Sequence, residues 1–217
     1  MNILLVAGGS PKEWPQFSLE QFDFIIGIDR GSLYSLERGW KLDLAVGDFD
    51  SLRQEEFERV KKEVREIEQA QAEKDFTDTQ LALMRAFEKF PEAEMTIIGA
   101  TGGRADHFLS NLWLPLEPEF QAFASQIQLK DRQNSITYYG PGSYSITKEV
   151  GMTYLAYCCL TPVNNLTLTE SKYTLDHVDV PIPTSYASNE FVGNSASFSF
   201  DSGMIAVIQS RDLNKKS

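Results

Sequence analysis

Cysteine is scarce in this chain of 217 residues: there are two, Cys158 and Cys159, and they are adjacent. Adjacent thiols supply neither a disulfide framework nor the ligand spacing of a zinc site. Histidine is equally scarce, at His107 and His177. A centre built from several His and Cys ligands is thereby excluded, and carboxylates are left as the plentiful metal donors, which suits hard cations such as Mg2+. Bases are outnumbered, 20 Lys plus Arg against 31 Asp plus Glu, for a formal charge of -11. That balance argues against broad binding to nucleic-acid backbones or anionic membranes. No apolar run approaches the roughly 20 residues that span a bilayer. Residues 1–9 have no basic stretch and too short an apolar run for a signal peptide. No G-x-x-x-x-G-K-[ST] loop occurs. The expectation is a cytoplasmic protein with reduced thiols that holds any anionic substrate through bound cations or a local basic spot.

What is present divides near residue 130. Residues 1–130 carry 23 of the 31 acids and 14 of the 20 bases, whereas Ser plus Thr rises from 11 there to 20 in residues 131–217. Charge-rich stretches favour amphipathic helices, and Ser, Thr and aromatic alternation favours strands. Two domains are expected, 1–130 and 131–217. In the first, residues 3–7, 24–28, 44–46 and 95–98 read as buried strands. Residues 55–69 place Phe57, Val60, Val64 and Ile67 at helical spacing, and residues 78–90 repeat that habit. Alternation of this kind predicts an open, mostly parallel, Rossmann-like α/β sheet. In the second, residues 135–139, 143–147, 153–159, 166–169, 197–200 and 204–209 are short runs between Gly, Pro and Asn turns. They predict a small antiparallel β-sandwich.

Ligands of open α/β sheets bind beyond the carboxyl ends of the strands. Here those ends read Gly8-Gly9-Ser10, Asp29-Arg30-Gly31, Gly47-Asp48-Phe49-Asp50-Ser51 and Gly99-Ala100-Thr101-Gly102-Gly103-Arg104-Ala105-Asp106-His107. Small residues let backbone amides approach a ligand, and carboxylates accept hydrogen bonds or hold metal. In an extended segment Asp48 and Asp50 share one face and one cation; the same residues equally suit a turn, with Ser51 capping the next helix. Asp75 or Asp78 is expected to cap the second amphipathic helix, or to complete a metal site while Thr77 or Lys74 touches phosphate. Gly102-Gly103-Arg104 before Asp106-His107 is a candidate anion seat at a helix start, with His107 a candidate base or a first-turn residue bonded to backbone. Cys158 and Cys159 are expected on opposite faces of a strand, and Tyr138, Tyr139, Tyr154 and Tyr157 in sheet packing. Arg211, Lys215 and Lys216 read as a solvated tail.

Taken in order, these segments resemble thiamine pyrophosphokinase of the bacterial type. The resemblance rests on Ala7-Gly8-Gly9, Asp29-Arg30-Gly31, residues 43–51, Asp75-Phe76-Thr77-Asp78 and Gly102-Gly103-Arg104-Ala105-Asp106-His107. Ser188-Asn189-Glu190 and Ser210-Arg211-Asp212 extend it through the second half. It implies an α/β catalytic, ATP-binding domain and a thiamine-binding β-sandwich, working as a homodimer with the active site at the subunit interface. It implies Mg2+-dependent transfer of the pyrophosphoryl group of ATP to thiamine, giving thiamine diphosphate and AMP with no covalent intermediate. By resemblance, Asp48, Asp50 and Asp78 are the catalytic and metal-site residues, with Asp75 a fourth ligand. Gly9, Asp29, Gly31, Thr77, Arg104, Asp106 and His107 match positions for ATP, and Tyr173 and Ser188 positions for thiamine. Glu170-Ser171-Lys172-Tyr173 departs from the Gly-Leu-Lys-Tyr common in relatives, and Arg30 stands where many have a small residue. The competing readings are a Mg2+-dependent nucleotide phosphohydrolase and a non-catalytic nucleotide or thiamine sensor.

Overall fold

Four consecutive residues with no exposed surface, Ile3, Leu4, Leu5 and Val6, mark a strand covered on both faces. In the computed structural model, which describes residues 1–71 and 75–213, they form β1 (Asn2–Val6). It is followed by β2 (Phe24–Ile28), β3 (Leu44–Gly47), β4 (Glu66–Gln69), β5 (Glu94–Ile98) and β6 (Ile127–Lys130). The order across this sheet is β6-β5-β1-β2-β3-β4, with every pairing parallel. Because β5 returns to the far side of β1, the strand order reverses between these two strands, which is where such sheets open a crevice.

The helices α1 (Arg30–Glu37), α2 (Gln54–Glu63), α3 (Asp78–Lys89) and α4 (Ala105–Trp113) complete this unit. Leu33 and Leu36 of α1 and Val60 of α2 share a core with Leu4, Val6 and Ala45. The α3 helix packs on β1, β2 and β3 with Ala82, Leu83 and Ala86 buried. Helices thus cover both faces of the sheet at β1, β2 and β3, leaving the carboxyl ends of these strands to meet a ligand.

The helix expected over residues 55–69 stops at Glu63. Val64 is extended, with φ -93° and ψ 140°, and residues 66–69 become β4, pairing Leu44 with Glu66 and Ala45 with Ile67. Val64 and Ile67 fit helical spacing, but an open edge beside β3 offered the Glu-Ile-Glu segment a ladder that helical propensity does not outweigh. Two capping expectations also change. Arg53, not Ser51, holds the N-cap position of α2, its amide donating to Glu56 Oε2 at 2.8 Å. Thr77, not Asp75 or Asp78, caps α3, its hydroxyl accepting from the Gln80 amide at 3.2 Å while the Gln80 side chain accepts from the Thr77 amide at 2.6 Å.

The second unit holds β7 (Asn134–Tyr139), β8 (Gly142–Thr147), β9 (Tyr154–Cys159), β10 (Val163–Thr169), β11 (Leu175–Val180), β12 (Thr184–Glu190), β13 (Ser195–Phe200) and β14 (Ile205–Ser210). Two antiparallel sheets, β12-β9-β14-β7 and β11-β10-β13-β8, face each other. Their core sets Leu155, Tyr157, Cys159 and Val207 against Leu166, Leu168, Ala196, Phe198 and Phe200. This is the sandwich that alternation predicts, enlarged by β11 and β12, which the sequence reading left unassigned. Compact units comprise residues 1–122 with 126–132, and 123–125 with 133–217. Cys158 and Cys159 do lie on opposite faces: Cys159 is in the core and Cys158 meets the Ser185 hydroxyl at 2.9 Å. Lys74, Lys215 and Lys216 lie outside the described residues. Among those described, no helix is long and apolar enough to cross a membrane.

Candidate functional site

The carboxyl ends of β1, β2, β3 and β5 open on one cleft of about 590 Å3. Its walls include Gly8, Gly9, Asp29, Asp48, Thr77, Asp78, Gly102, Gly103, Arg104 and His107. At its centre the chain beyond β1 lies against the chain beyond β5: the Gly9 amide donates to the Gly99 carbonyl at 2.9 Å. A side chain on Gly9 would overlap that carbonyl, so glycine is required here for two backbones to touch. From beneath, the Trp14 indole donates to the Gly9 carbonyl at 3.2 Å.

The acidic side of the cleft is built on unusual backbone. Phe49 has φ 60°, so residues 48–50 are not extended as the shared-face argument supposed. They form a tight turn in which the Asp50 amide donates to Asp48 Oδ1 at 3.1 Å, and the buried Phe49 ring stacks on Phe57 to hold it. The turn and the carboxylate pair therefore coexist. Asp29, at the N-cap of α1, has φ 45°. Asp29, Asp48 and Asp50 each offer a carboxylate oxygen within 4.8 Å of the others. Asp29 Oδ2 accepts a 2.6 Å hydrogen bond from the Ser51 hydroxyl, while Oδ1 is buried and has no hydrogen-bond partner. Burial pushes the Asp29 carboxyl above the usual range; the Ser51 hydroxyl and the Arg30 amide oppose the shift, and the charges of Asp78 and Asp48 add to it. Asp78 thus acts on Asp29 from the first turn of α3.

Opposite lies the glycine-rich loop after β5. Gly102 and Gly103 have φ 73° and 68°, a conformation that side chains rarely adopt. The loop is tied down at both ends by buried groups. Asn111 Nδ2 donates to the Ala100 carbonyl at 2.9 Å, and the Thr101 hydroxyl donates to Asp131 at 2.6 Å. Arg104 holds the N-cap position of α4 and pairs with Asp106 at 2.5 Å; this guanidinium holds the Asp106 carboxyl below the usual range. Arg104 and His107 are exposed and line the cleft.

The structure therefore gathers Gly9, Asp29, Asp48, Thr77, Asp78, Arg104 and His107 around one space, with Asp50 reaching it through the carboxylate cluster. Asp106 sits behind Arg104, and Asp75 is exposed beside α3 without lining the cleft. Gly31 is buried under the Val6 carbonyl, where a side chain would not fit, so it packs α1 on β1 rather than facing the cleft. Tyr173 belongs to the second unit, where with Leu168, Leu175, Tyr186 and Asn189 it lines a hollow of about 170 Å3. Ser188 is exposed beside it, with φ 60°. Asn189 clamps this loop, accepting from the Tyr173 amide and donating to the Tyr173 carbonyl at 2.9 and 2.8 Å. Ser51, Asn111 and Asp131 escaped the sequence reading as members of the site. Ser51 had a signal in its place beside two aspartates; Asp131 had none.

Two family models match the chain. "Thiamin pyrophosphokinase, catalytic domain" matches residues 16–128, and "Thiamin pyrophosphokinase, vitamin B1 binding domain" matches residues 143–205. A curated thiamine pyrophosphokinase of Bacillus subtilis (strain 168) is 35% identical, the alignment covering 97% of this chain and 99% of that protein. The crystal structure of a thiamin pyrophosphokinase family protein from Enterococcus faecalis is 62% identical with a TM-score of 0.96, covering 98% of this chain and all of that one. Thiamin pyrophosphokinase from Candida albicans, at 16% identity, has the same fold with a TM-score of 0.76 over 97% of this chain and 89% of that one.

Proposed function

The chain belongs to the thiamin pyrophosphokinase family, and from that premise we propose that it transfers the pyrophosphoryl group of ATP to the hydroxyl of thiamine, giving thiamine diphosphate and AMP. The observation that carries this reading is the cleft itself. Glycine-lined strand ends and an arginine stand on one side, and clustered carboxylates on the other. In the reaction the thiamine oxygen forms a bond to the β-phosphorus, the α,β-bridging bond breaks, AMP leaves with the bridging oxygen, and the hydroxyl proton is lost to the medium. Phosphoryl-type transition states need positioning and charge stabilisation more than covalent help, so no covalent intermediate is required.

The donor set fits Mg2+. Three carboxylates within 4.8 Å repel one another unless a cation lies among them, and Asp29 Oδ1 is a buried acceptor with no protein donor. Asp29, Asp48 and Asp50 would hold the ion, with Asp78 near Asp29 at the start of α3; Asp75, exposed and set apart, is the weaker fourth ligand. Bound there, Mg2+ supplies neutralisation of phosphate charge and orientation of the pyrophosphoryl group. The chain's own groups do the rest. The glycine-rich loop of Gly102 and Gly103, which lines the cleft, would supply backbone donors to phosphate oxygens, and Arg104 adds a charged fork steadied by Asp106. Thr77 and His107, which line the cleft at the starts of α3 and α4, would contact the nucleotide.

Thiamine, a cation, suits an acidic cleft. Tyr173 and Ser188 of the sandwich are the residues proposed to meet it, in a homodimer that sets the catalytic unit of one subunit against the sandwich of the other. The cytoplasm is the proposed location, where ATP is available and free thiols such as Cys158 and Cys159 persist. The deciding experiment incubates protein, ATP and Mg2+ with and without thiamine and resolves the products by chromatography. AMP and thiamine diphosphate formed only with thiamine are expected. ADP as product overturns the proposal, thiamine-independent ATP consumption replaces it with a phosphohydrolase, and binding without turnover replaces it with a sensor.

A further inference from the structure

Asp29 combines features that cost stability and have no return in the fold alone. Its backbone is held at φ 45°, where a residue with a Cβ is strained. Its side chain makes no capping bond to α1, although it occupies the N-cap position. One oxygen is engaged by Ser51 at 2.6 Å, and the other is buried without a partner. A carboxylate has about four acceptor positions, and leaving a buried oxygen empty costs the full desolvation of that atom. Ser51 has a single hydroxyl proton to give, and it gives it to Asp29 Oδ2.

We propose that Ser51 is a positioning residue: by fixing Asp29 Oδ2, it holds the Asp29 carboxylate within reach of Asp48 and Asp50 and preorganises the cation site. The argument is geometric. A carboxylate rotates about χ2 with little resistance, so an unrestrained Asp29 would turn away from the two neighbouring negative charges and toward water. The Ser51 bond removes that escape. Ser51 lies on the same turn as Asp48 and Asp50, so the segment that supplies two ligands also orients the third, borne by the end of β2. The strained backbone at Asp29 serves the same end, since α1 begins there and the carboxylate cannot follow a relaxed cap geometry.

This inference rests on the cation site of the proposed function but not on its chemistry, and the test separates the two. Mn2+ binding to the full-length protein, followed by loss of the free-ion electron paramagnetic resonance signal with neither ATP nor thiamine present, reads the site directly. Ser51→Ala is expected to weaken Mn2+ binding about tenfold, which corresponds to about 1.4 kcal/mol. Ser51→Thr, which keeps the hydroxyl, should stay within about threefold of the parent. Ser51→Cys retains the side-chain volume with a weak donor and should fall near Ser51→Ala, which keeps the test open should alanine disturb folding. Equal Mn2+ affinity in the parent, Ser51→Ala and Ser51→Cys overturns the proposal, as does a parent that binds no Mn2+. A graded series in a protein that makes no thiamine diphosphate would leave the positioning role standing and overturn the reaction instead.

Discussion

The hydroxyl of Thr101 donates to the buried carboxylate of Asp131 at 2.6 Å, joining the glycine-rich loop after β5 to the end of β6. Thirty residues separate the two in sequence. With Asn111 holding the Ala100 carbonyl on the other side, the loop that faces the cleft is braced before any ligand arrives. Bracing lowers the ordering cost of binding.

Removing only that hydroxyl should therefore act on nucleotide binding. Thr101→Val keeps the side-chain shape and deletes the donor to a charged acceptor, a bond worth about 1.5–3 kcal/mol. The expected result is a KM for ATP raised about tenfold with kcat changed less than about threefold. Steady-state kinetics with ATP varied at saturating thiamine checks it. An unchanged KM would show that the loop needs no brace.

The carboxylates should behave in the opposite way, through turnover rather than folding. Asp48→Ala and Asp78→Ala are each expected to lower kcat by about a thousandfold or more, since they strip charge from the proposed metal site. Their thermal midpoints should hold or rise, because each variant relieves repulsion on Asp29. Near-normal activity in either would refute its place in the chemistry.

Gly31 separates packing from ligand contact. A methyl there would overlap the Val6 carbonyl oxygen and lie 2.7 Å from the Val6 carbonyl carbon, both backbone atoms of a fully buried strand. Gly31→Ala should cost about 3 kcal/mol of stability, the upper part of the range for overpacked sites. A shift of the urea midpoint, read by circular dichroism, measures it. A stable variant with a raised KM for ATP would return Gly31 to the ligand-binding role that its motif suggested.

Which features could be read from the chain follows from how local their causes are. The strands β1, β2, β3 and β5 are covered on both faces, so each announces itself as an apolar run. The ends of these strands carry the glycines and aspartates in plain order, and four of them do line one cleft. Residues 66–69 failed because Ile67 satisfies helical spacing as well as strand alternation, and only the neighbouring edge of β3 decides between them. Thr184–Glu190 failed for another reason: only Asn189 among its residues is buried, and it pairs with β9 through a register shift between Tyr186 and Asn189, so no alternation survives. Asp29 could be placed at a strand end but not in the carboxylate cluster. That depends on a positive φ at Phe49 and a hydrogen bond across 22 residues, neither of which leaves a local trace.

The sandwich core makes a prediction of its own in alkaline solution. Cys159 is 3% exposed among Leu155, Tyr157 and Val207, and burial pushes its thiol up to about 11 from an ordinary value of 9.0. Only the thiolate attacks a disulfide reagent. In the native protein at pH 8, Ellman's reagent should therefore release at most one equivalent, from Cys158, and two after denaturation. The same burial makes stability depend on pH with a definite sign. Between pH 9 and about 11 the unfolded chain gives up the Cys159 proton while the folded chain keeps it, so the folded state binds more protons and loses stability as pH rises. The contribution is fully present below pH 9 and amounts to about 2–3 kcal/mol across the window. Tyr157 in the same core and Tyr138 elsewhere, both pushed up by burial, add a loss of the same sign, so the comparison must isolate the thiol. Cys159→Val fills the site without a titratable group. Relative to pH 8, the parent should lose about 2–3 kcal/mol more than Cys159→Val by pH 11 in urea unfolding. Parallel stability curves for the two proteins would show that the thiol ionises in place and that the core admits the charge.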